Sequence, residues 1–207
     1  MYGHIKYHIK SMKTYTKQVT KTGNCLEIRC DSDNESPRHW SNLGYFITVD
    51  RNYHSPDSNK ELESIIKNSG DVVESLEEHI AQIKIDYEAN NEDKVITIYP
   101  ICKYEHSGVS YSLGSKHGFD YSNNGFYIVT KKTQKEVGTN KKDFERVIKH
   151  EFETYNKWCN GEVYSFVLYD SNGELIDSCS GFYDIEDIRD YLPKEYKKEE
   201  LSDYYCE

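Results

Sequence analysis

The densest set of oxygen ligands in the chain is Asp31-Ser32-Asp33-Asn34-Glu35. Clustered carboxylates bind hard cations, and Asp31, Asp33 and Glu35 alternate as the first ligands of a calcium loop do. Such a loop needs Gly at its sixth position and a bidentate Glu at its twelfth, where this chain has Ser36 and Asn42. An EF-hand is therefore excluded, and Asp31, Asp33 and Glu35 stay as candidates for a looser divalent site. The competing reading is an Asx-type turn before Pro37, with Arg38 neutralising a neighbouring carboxylate. Glu105-His106-Ser107 sets a base beside a hydroxyl, but the members of a triad converge from separate segments. His150-Glu151 opens an HExxH pattern that Thr154 breaks, and no GxSxG, P-loop or GxGxxG is present. His39, His54 and His117 fall in loop sequence without assignable partners. The residues spell out no reaction, and no cofactor is expected.

These side chains must be carried by a scaffold that the hydrophobic pattern outlines. Residues 13–21 and Cys25–Cys30 read as a hairpin around Thr22-Gly23-Asn24, and a third strand covers Tyr45–Val49. A short helix over 59–68 uses Leu62, Ile65 and Ile66, and Gly70 interrupts it. A long helix is predicted over Asp71–Ala89, with Val72, Val73, Leu76, Ile80, Ile83 and Tyr87 as its buried face and Asp71 at its start. Residues 94–99 form a strand stopped by Pro100, and Val109–Leu113 and Phe126–Thr130 follow as two more. A second long helix from about Lys141 to Cys159 shows Phe144, Val147, Ile148, Phe152, Tyr155 and Trp158 at helical spacing. Strands 162–169 and 174–181 flank the turn Asp170-Ser171-Asn172-Gly173, and a short helix near Ile185–Tyr191 ends before Pro193. The expected fold is α+β: a mainly antiparallel sheet with two long amphipathic helices packed on it. Residues 1–11 read as an N-terminal extension, 12–192 as a single domain and 193–207 as an acidic, mobile tail. Trp40 and Phe46 are expected to anchor the loop after the acidic turn onto the sheet, with Tyr45 and Tyr53 beside them.

The chain carries 26 Lys and Arg against 36 Asp and Glu, a net charge of -10. Residues 57–93 hold 11 acids and 3 bases, and residues 183–207 hold 9 acids and 4 bases, so these two stretches exceed the whole deficit. Such a balance argues against binding a phosphate backbone directly. No apolar run approaches the roughly 20 residues that cross a bilayer, so no membrane partner is expected. The six cysteines form no CxxC and have no zinc spacing, and they are expected to be free thiols.

Four blocks of sequence carry a resemblance. Asp31 to Gly44 (DSDNESPRHWSNLG) resembles a segment DEDPESPREWDNLG in a family of uncharacterised bacteriophage and prophage proteins. Tyr104–Gly108 is similar to its YDHSG, Gly125–Gly138 to GFIYVTKEKIRKEYG, and Glu162–Tyr183 to DVYGFIVEDEDGEEVDSCWGFYG. Ser180 stands where that pattern has Trp. The resemblance implies a phage-encoded protein in the cytoplasm of an infected bacterium, and it carries no catalytic residues over.

Accessory phage proteins of this size often counter host defence. The expected function is thus a non-enzymatic inhibitor of a host nuclease, an anti-CRISPR protein whose acidic surface occupies a nucleic-acid channel of a Cas nuclease or its guide complex. The expected contacts are Glu74, Glu77 and Glu78 with Asp184, Glu186, Asp187 and Asp190. Two alternatives stand beside it. One is a small metal-dependent phage enzyme using Asp31, Asp33, Glu35 and His106. The other is a phage-internal binding module, touching nucleic acid through the lysines of residues 1–21.

Overall fold

The computed structural model describes residues 17–49, 54–198 and 201. The N-terminal extension, Tyr53 and most of the acidic tail lie outside the described residues. In chain order the elements are β1 (Lys17–Val19), β2 (Cys25–Cys30), β3 (Tyr45–Thr48), α1 (Lys60–Gly70), α2 (Leu76–Asn90), β4 (Val95–Glu105), β5 (Val109–Leu113), β6 (Tyr121–Thr130), α3 (Lys131–Val137), α4 (Phe144–Cys159), β7 (Tyr164–Tyr169), β8 (Leu175–Phe182) and α5 (Ile188–Tyr191). Among the described residues the strands form two antiparallel four-stranded sheets, ordered β1-β2-β7-β8 and β3-β6-β4-β5. The fold is α+β, with two sheets in place of the expected one. They belong to two compact units, one drawn from residues up to Glu35 and from Asn160 on, the other Ser36–Cys159. The single stretch 12–192 is thus divided, and the first unit takes residues from both sides of the second.

In the first unit one sheet face is covered by the chain's own C-terminal segment. Leu26 and Ile28 of β2, Phe166 and Leu168 of β7, and Phe182 of β8 meet Ile188, Leu192, Tyr196 and Leu201. The Asn24 amide donates to the Tyr196 hydroxyl. The segment read as a mobile tail therefore supplies buried side chains to this core at Tyr196 and Leu201. The hairpin turn before β8 is held by Asp170, whose Oδ1 accepts the N–H of Asn172 at 2.8 Å and of Glu174 at 2.9 Å, with Gly173 at φ 87°. Cys25, Cys102, Cys159 and Cys179 are free thiols as expected, whereas Cys30 is disulfide-bonded.

In the second unit the sheet is covered on both faces. Strand side chains alternate between them. Ile47, Phe126 and Ile128 pack on Leu62, Ile65 and Ile66 of α1 and on Ile83 and Tyr87 of α2. Phe46, Tyr127 and Val129 pack on Phe144, Ile148, Phe152 and Tyr155 of α4. This is why Gly125–Thr130 reads as an unbroken apolar and aromatic run rather than an alternation.

β4 passes through Pro100, which the sequence reading took as its end. The Pro100 carbonyl accepts the Gly114 N–H at 2.8 Å, so its side of the strand faces the point where β5 stops. The missing proline N–H therefore falls where no ladder bond was due. α3 was not anticipated. It is short, has no apolar stripe, and starts on a capping box between Thr130 and Thr133.

Both outer strands of this sheet have their backbone groups occupied by side chains. At β3, Asp57 accepts the Phe46 N–H at 2.6 Å and Ser55 accepts the Thr48 N–H at 3.1 Å. At β5, the Asn156 amide of α4 accepts from Tyr111 N–H at 2.8 Å and donates to Tyr111 carbonyl at 3.1 Å. In the first unit, edge strand β8 carries two register shifts, and Asp177 accepts the Ser178 N–H at 2.8 Å.

The expected helix pair is half met. α4 has the stripe read from sequence. α2 begins at Leu76 and not at Asp71, because Ser75 is its N-cap, accepting the Glu78 N–H at 3.2 Å. Val72 and Leu76, assigned to its buried face, are 73% and 40% exposed. Ile83 and Tyr87 are the buried residues of α2.

Two predictions arise here. A methyl on Gly44 would stand 2.5 Å from the Ile128 carbonyl oxygen and 2.6 Å from the Tyr127 ring. Gly44→Ala is expected to lower stability by about 1–3 kcal/mol, read as a shift in urea midpoint. The second concerns Asp93. Partial burial pushes its carboxyl up, but bonds from Thr130, the Lys94 and Lys132 N–H groups and Tyr87 outweigh this and hold it below the ordinary value. A lowered folded pKa stabilises above the unfolded value of about 3.9, and that contribution is lost as pH falls through the folded pKa. Asp93→Asn should therefore flatten the acid limb of stability against pH, seen in urea midpoints from neutrality downward.

Candidate interaction surface and its scaffold

The segment that carries the first resemblance is built around a buried ion network. Pro37 starts a one-turn 3-10 helix, Pro37–His39, capped by Ser36. That turn aims Arg38 inward, leaving its side chain 3% exposed. Its Nε donates to Asp57 Oδ1 at 2.8 Å, and Nη2 donates to Asp57 Oδ2 and the Gly44 carbonyl, each at 2.7 Å. Nη1 donates to Asn42 Oδ1 and Glu151 Oε2, each at 3.0 Å. All the N–H donors of the guanidinium are used. The two carboxylates are shared further. Glu151 Oε1 accepts the Leu43 N–H at 2.8 Å, and its Oε2 accepts the Tyr127 hydroxyl. Tyr127 in turn accepts the Gly44 N–H at 2.8 Å. Desolvation lowers the Arg38 pKa, but Asp57 more than reverses this, and the net shift is upward. Burial and the Glu151 charge push the Tyr127 hydroxyl well above its ordinary value. Arg38 thus neutralises Asp57 and Glu151, not the acidic turn beside it in sequence, and the network is a scaffold.

The acidic turn itself follows the Asx reading. Asp31 Oδ1 accepts the Asp33 N–H at 3.3 Å, and the Asn34 amide donates to the Asp31 carbonyl at 3.2 Å. Burial and the Asp31 charge push the Tyr183 hydroxyl up to about 12. Among the described residues no three His, Cys, Asp or Glu side chains are grouped to hold a metal ion, so Asp31, Asp33 and Glu35 do not converge. His106, assigned to the same site, belongs to the second unit, with Nδ1 3.7 Å from Asp120 Oδ2. Phe46 is buried as expected. Trp40 is instead 54% exposed, because Asn42 holds the Trp40 carbonyl at 2.8 Å while Arg38 takes the inward position.

The predicted contact residues fall in both units. Asp184, Glu186, Asp187 and Asp190 lie in the first unit around α5, all exposed. Glu186 is paired with Arg189 at 3.0 Å, and Asp184 accepts the Glu186 N–H at 3.0 Å. Glu74, Glu77 and Glu78 lie in the second unit at the start of α2, also exposed. They do not continue as a stripe along that helix. Successive helical residues turn by about 100°, so Glu77 and Glu78 point apart. Glu78 reaches back to the Glu74 N–H at 3.1 Å, Asp86 takes the Gln82 amide at 2.8 Å, and Glu88 takes the Val95 N–H at 3.0 Å.

What the structure exposes instead is a short mixed stretch, residues 71–78. Asp71, Glu74, Glu77 and Glu78 stand exposed with Val72 and Leu76 among them. The sequence held the signal that would have found it: Ser75-Leu76-Glu77-Glu78 is an S-x-x-E box, which starts the helix at Leu76 and leaves Val72 outside.

The chain is thus an antiparallel α+β protein with a buried ionic network and an exposed stretch that mixes acidic and apolar side chains. No protein-family model, curated protein or solved structure matches the chain. Among the described residues no helix is long and apolar enough to cross a membrane.

Proposed function

We propose that this chain is a phage-encoded, non-enzymatic inhibitor that binds a host defence nuclease, a CRISPR effector or its guide complex, in the cytoplasm of the infected cell. The observation that carries the reading is the patch at residues 71–78, where exposed Val72 and Leu76 sit among four exposed carboxylates in the most acidic stretch of the chain. A purely charged face would suit competition with phosphates alone. Apolar groups among the acids suit a protein surface that is basic at its rim and apolar at its centre. The carboxylates steer the encounter, and the apolar side chains lengthen the bound state. The long helix serves here as a presenting element, with its first turn turned to the partner. The acids around α5 form a separate negative surface on the first unit.

The test is titration of purified, guide-loaded CRISPR effectors in a DNA-cleavage assay. Inhibition that saturates at a fixed stoichiometry supports the reading. Inhibition that develops catalytically at substoichiometric protein, or no inhibition and no binding across the effector types, refutes it.

A further inference from the structure

At the end of the second sheet, where β4 enters its hairpin, two tyrosine rings meet a cation, and an exposed phenylalanine stands on the adjoining loop. Tyr104 of β4 and Tyr121 of β6 form a cross-strand pair with ring centroids 5.0 Å apart. The Lys116 ammonium lies 5.7 Å from the Tyr121 ring centroid. Phe119 stands between them in sequence and is 103% exposed.

The loop that holds Phe119 in water is tied down. The Asn123 amide accepts the Lys116 N–H at 3.0 Å and donates to the Lys116 carbonyl at 2.6 Å. The Glu105 N–H donates to the Asp120 carbonyl at 3.0 Å, and the Tyr121 N–H to the Gly118 carbonyl at 3.3 Å. A phenyl ring kept fully hydrated on a pinned loop retains all the free energy of its burial for a ligand.

We propose that this end of the second unit is a stacking platform for single-stranded nucleic acid, with bases lying on Phe119 and the Tyr104–Tyr121 pair and an adjacent phosphate meeting Lys116. Aromatic rings stack on any base, and each stacked base strengthens binding on the order of tenfold. A duplex keeps its base faces inside and offers the rings little. The local charge is close to balanced, since Glu105 is paired with Lys103 at 2.7 Å and Asp120 offsets Lys116, so the attraction comes from stacking rather than from a basic groove. Stacking of this kind operates on a chain of net charge -10, which the expectation drawn from overall charge did not allow for. One phosphate contact gives a salt slope of only about 0.7, far shallower than that of a basic groove. An apolar pocket on a protein is the other surface that would take Phe119. The tyrosine pair and the Lys116 cation on Tyr121, two residues along the chain from Phe119, favour bases.

The experiment uses the full chain and a short fluorescein-labelled oligothymidine, its RNA counterpart and a duplex of the same length, followed by anisotropy and by quenching of tyrosine emission. Single strands should bind with a shallow salt dependence and the duplex far more weakly. Phe119→Ala and Tyr104→Ala should each weaken binding about tenfold, the gain expected for one stacked base, while Tyr104→Phe keeps it. Lys116→Gln should remove the remaining salt dependence. Circular dichroism melts of Phe119→Ala matching the parent show that any loss is not unfolding. Absence of single-strand binding at millimolar protein overturns the proposal, as does equal duplex binding or full binding by both alanine variants. It is equally overturned if Phe119→Ala abolishes binding to a nuclease target while no oligonucleotide binds.

Discussion

Replacing Arg38 by methionine should cost about 3–5 kcal/mol, the range for breaking a buried ion pair from one side. The side chain volume is nearly kept, so the loss is electrostatic. Asp57 and Glu151 would be left with one cation fewer in a site largely closed to water. The usual escape, an apolar replacement of the whole network, is closed here. Asp57 also receives the Phe46 N–H and Glu151 the Leu43 N–H, so removing the carboxylates would strand two backbone donors. A double-mutant cycle between Arg38→Met and Glu151→Gln in urea unfolding should show strong coupling. Additive effects, or a loss under about 1 kcal/mol as for an exposed pair, would show that the network does not hold this unit together.

If the proposed nuclease target is the partner, reversing charge at the start of α2 should slow association with it by about tenfold or more at low ionic strength, within the range known for steered encounters. The informative variant is Glu74→Lys with Glu77→Lys. Glu78 is left alone because its carboxylate holds the Glu74 N–H just ahead of the helix, and its loss would confuse binding with folding. Stopped-flow association over a salt series would show the parent rate falling steeply and the variant rate staying flat. Val72→Ser with Leu76→Ser should act on dissociation instead, with little change in the salt slope. An unchanged association rate in the double lysine variant would end the electrostatic account, whatever the inhibition observed.

The strands and α4 were legible because their patterns are local. Cys25–Cys30 and Val109–Leu113 coincide with β2 and β5, and the α4 stripe from Phe144 to Trp158 needs only a period of 3.6. The scaffold was not legible, since Arg38 finds Asp57 and Glu151 across 19 and 113 residues of chain. Periodicity also misplaced Val72, whose spacing fits the buried face of α2 but which lies before the Ser75 cap. There the capping chemistry was the stronger signal. β4 crossed Pro100 because the end of β5, set by tertiary pairing, removed the cost of the missing donor. Division into two units was hidden as well, because the first unit is assembled from segments 125 residues apart in sequence, Glu35 and Asn160 marking their junctions.

The plugged outer strands of the second sheet have a consequence for how such a protein can be used. At high concentration, naked β-edges template polymerisation of one chain on another. Ser55, Asp57 and Asn156 occupy backbone groups of Phe46, Thr48 and Tyr111 that would otherwise add to such a template. Outward side chains elsewhere on the sheet can then change without reopening an edge to self-association.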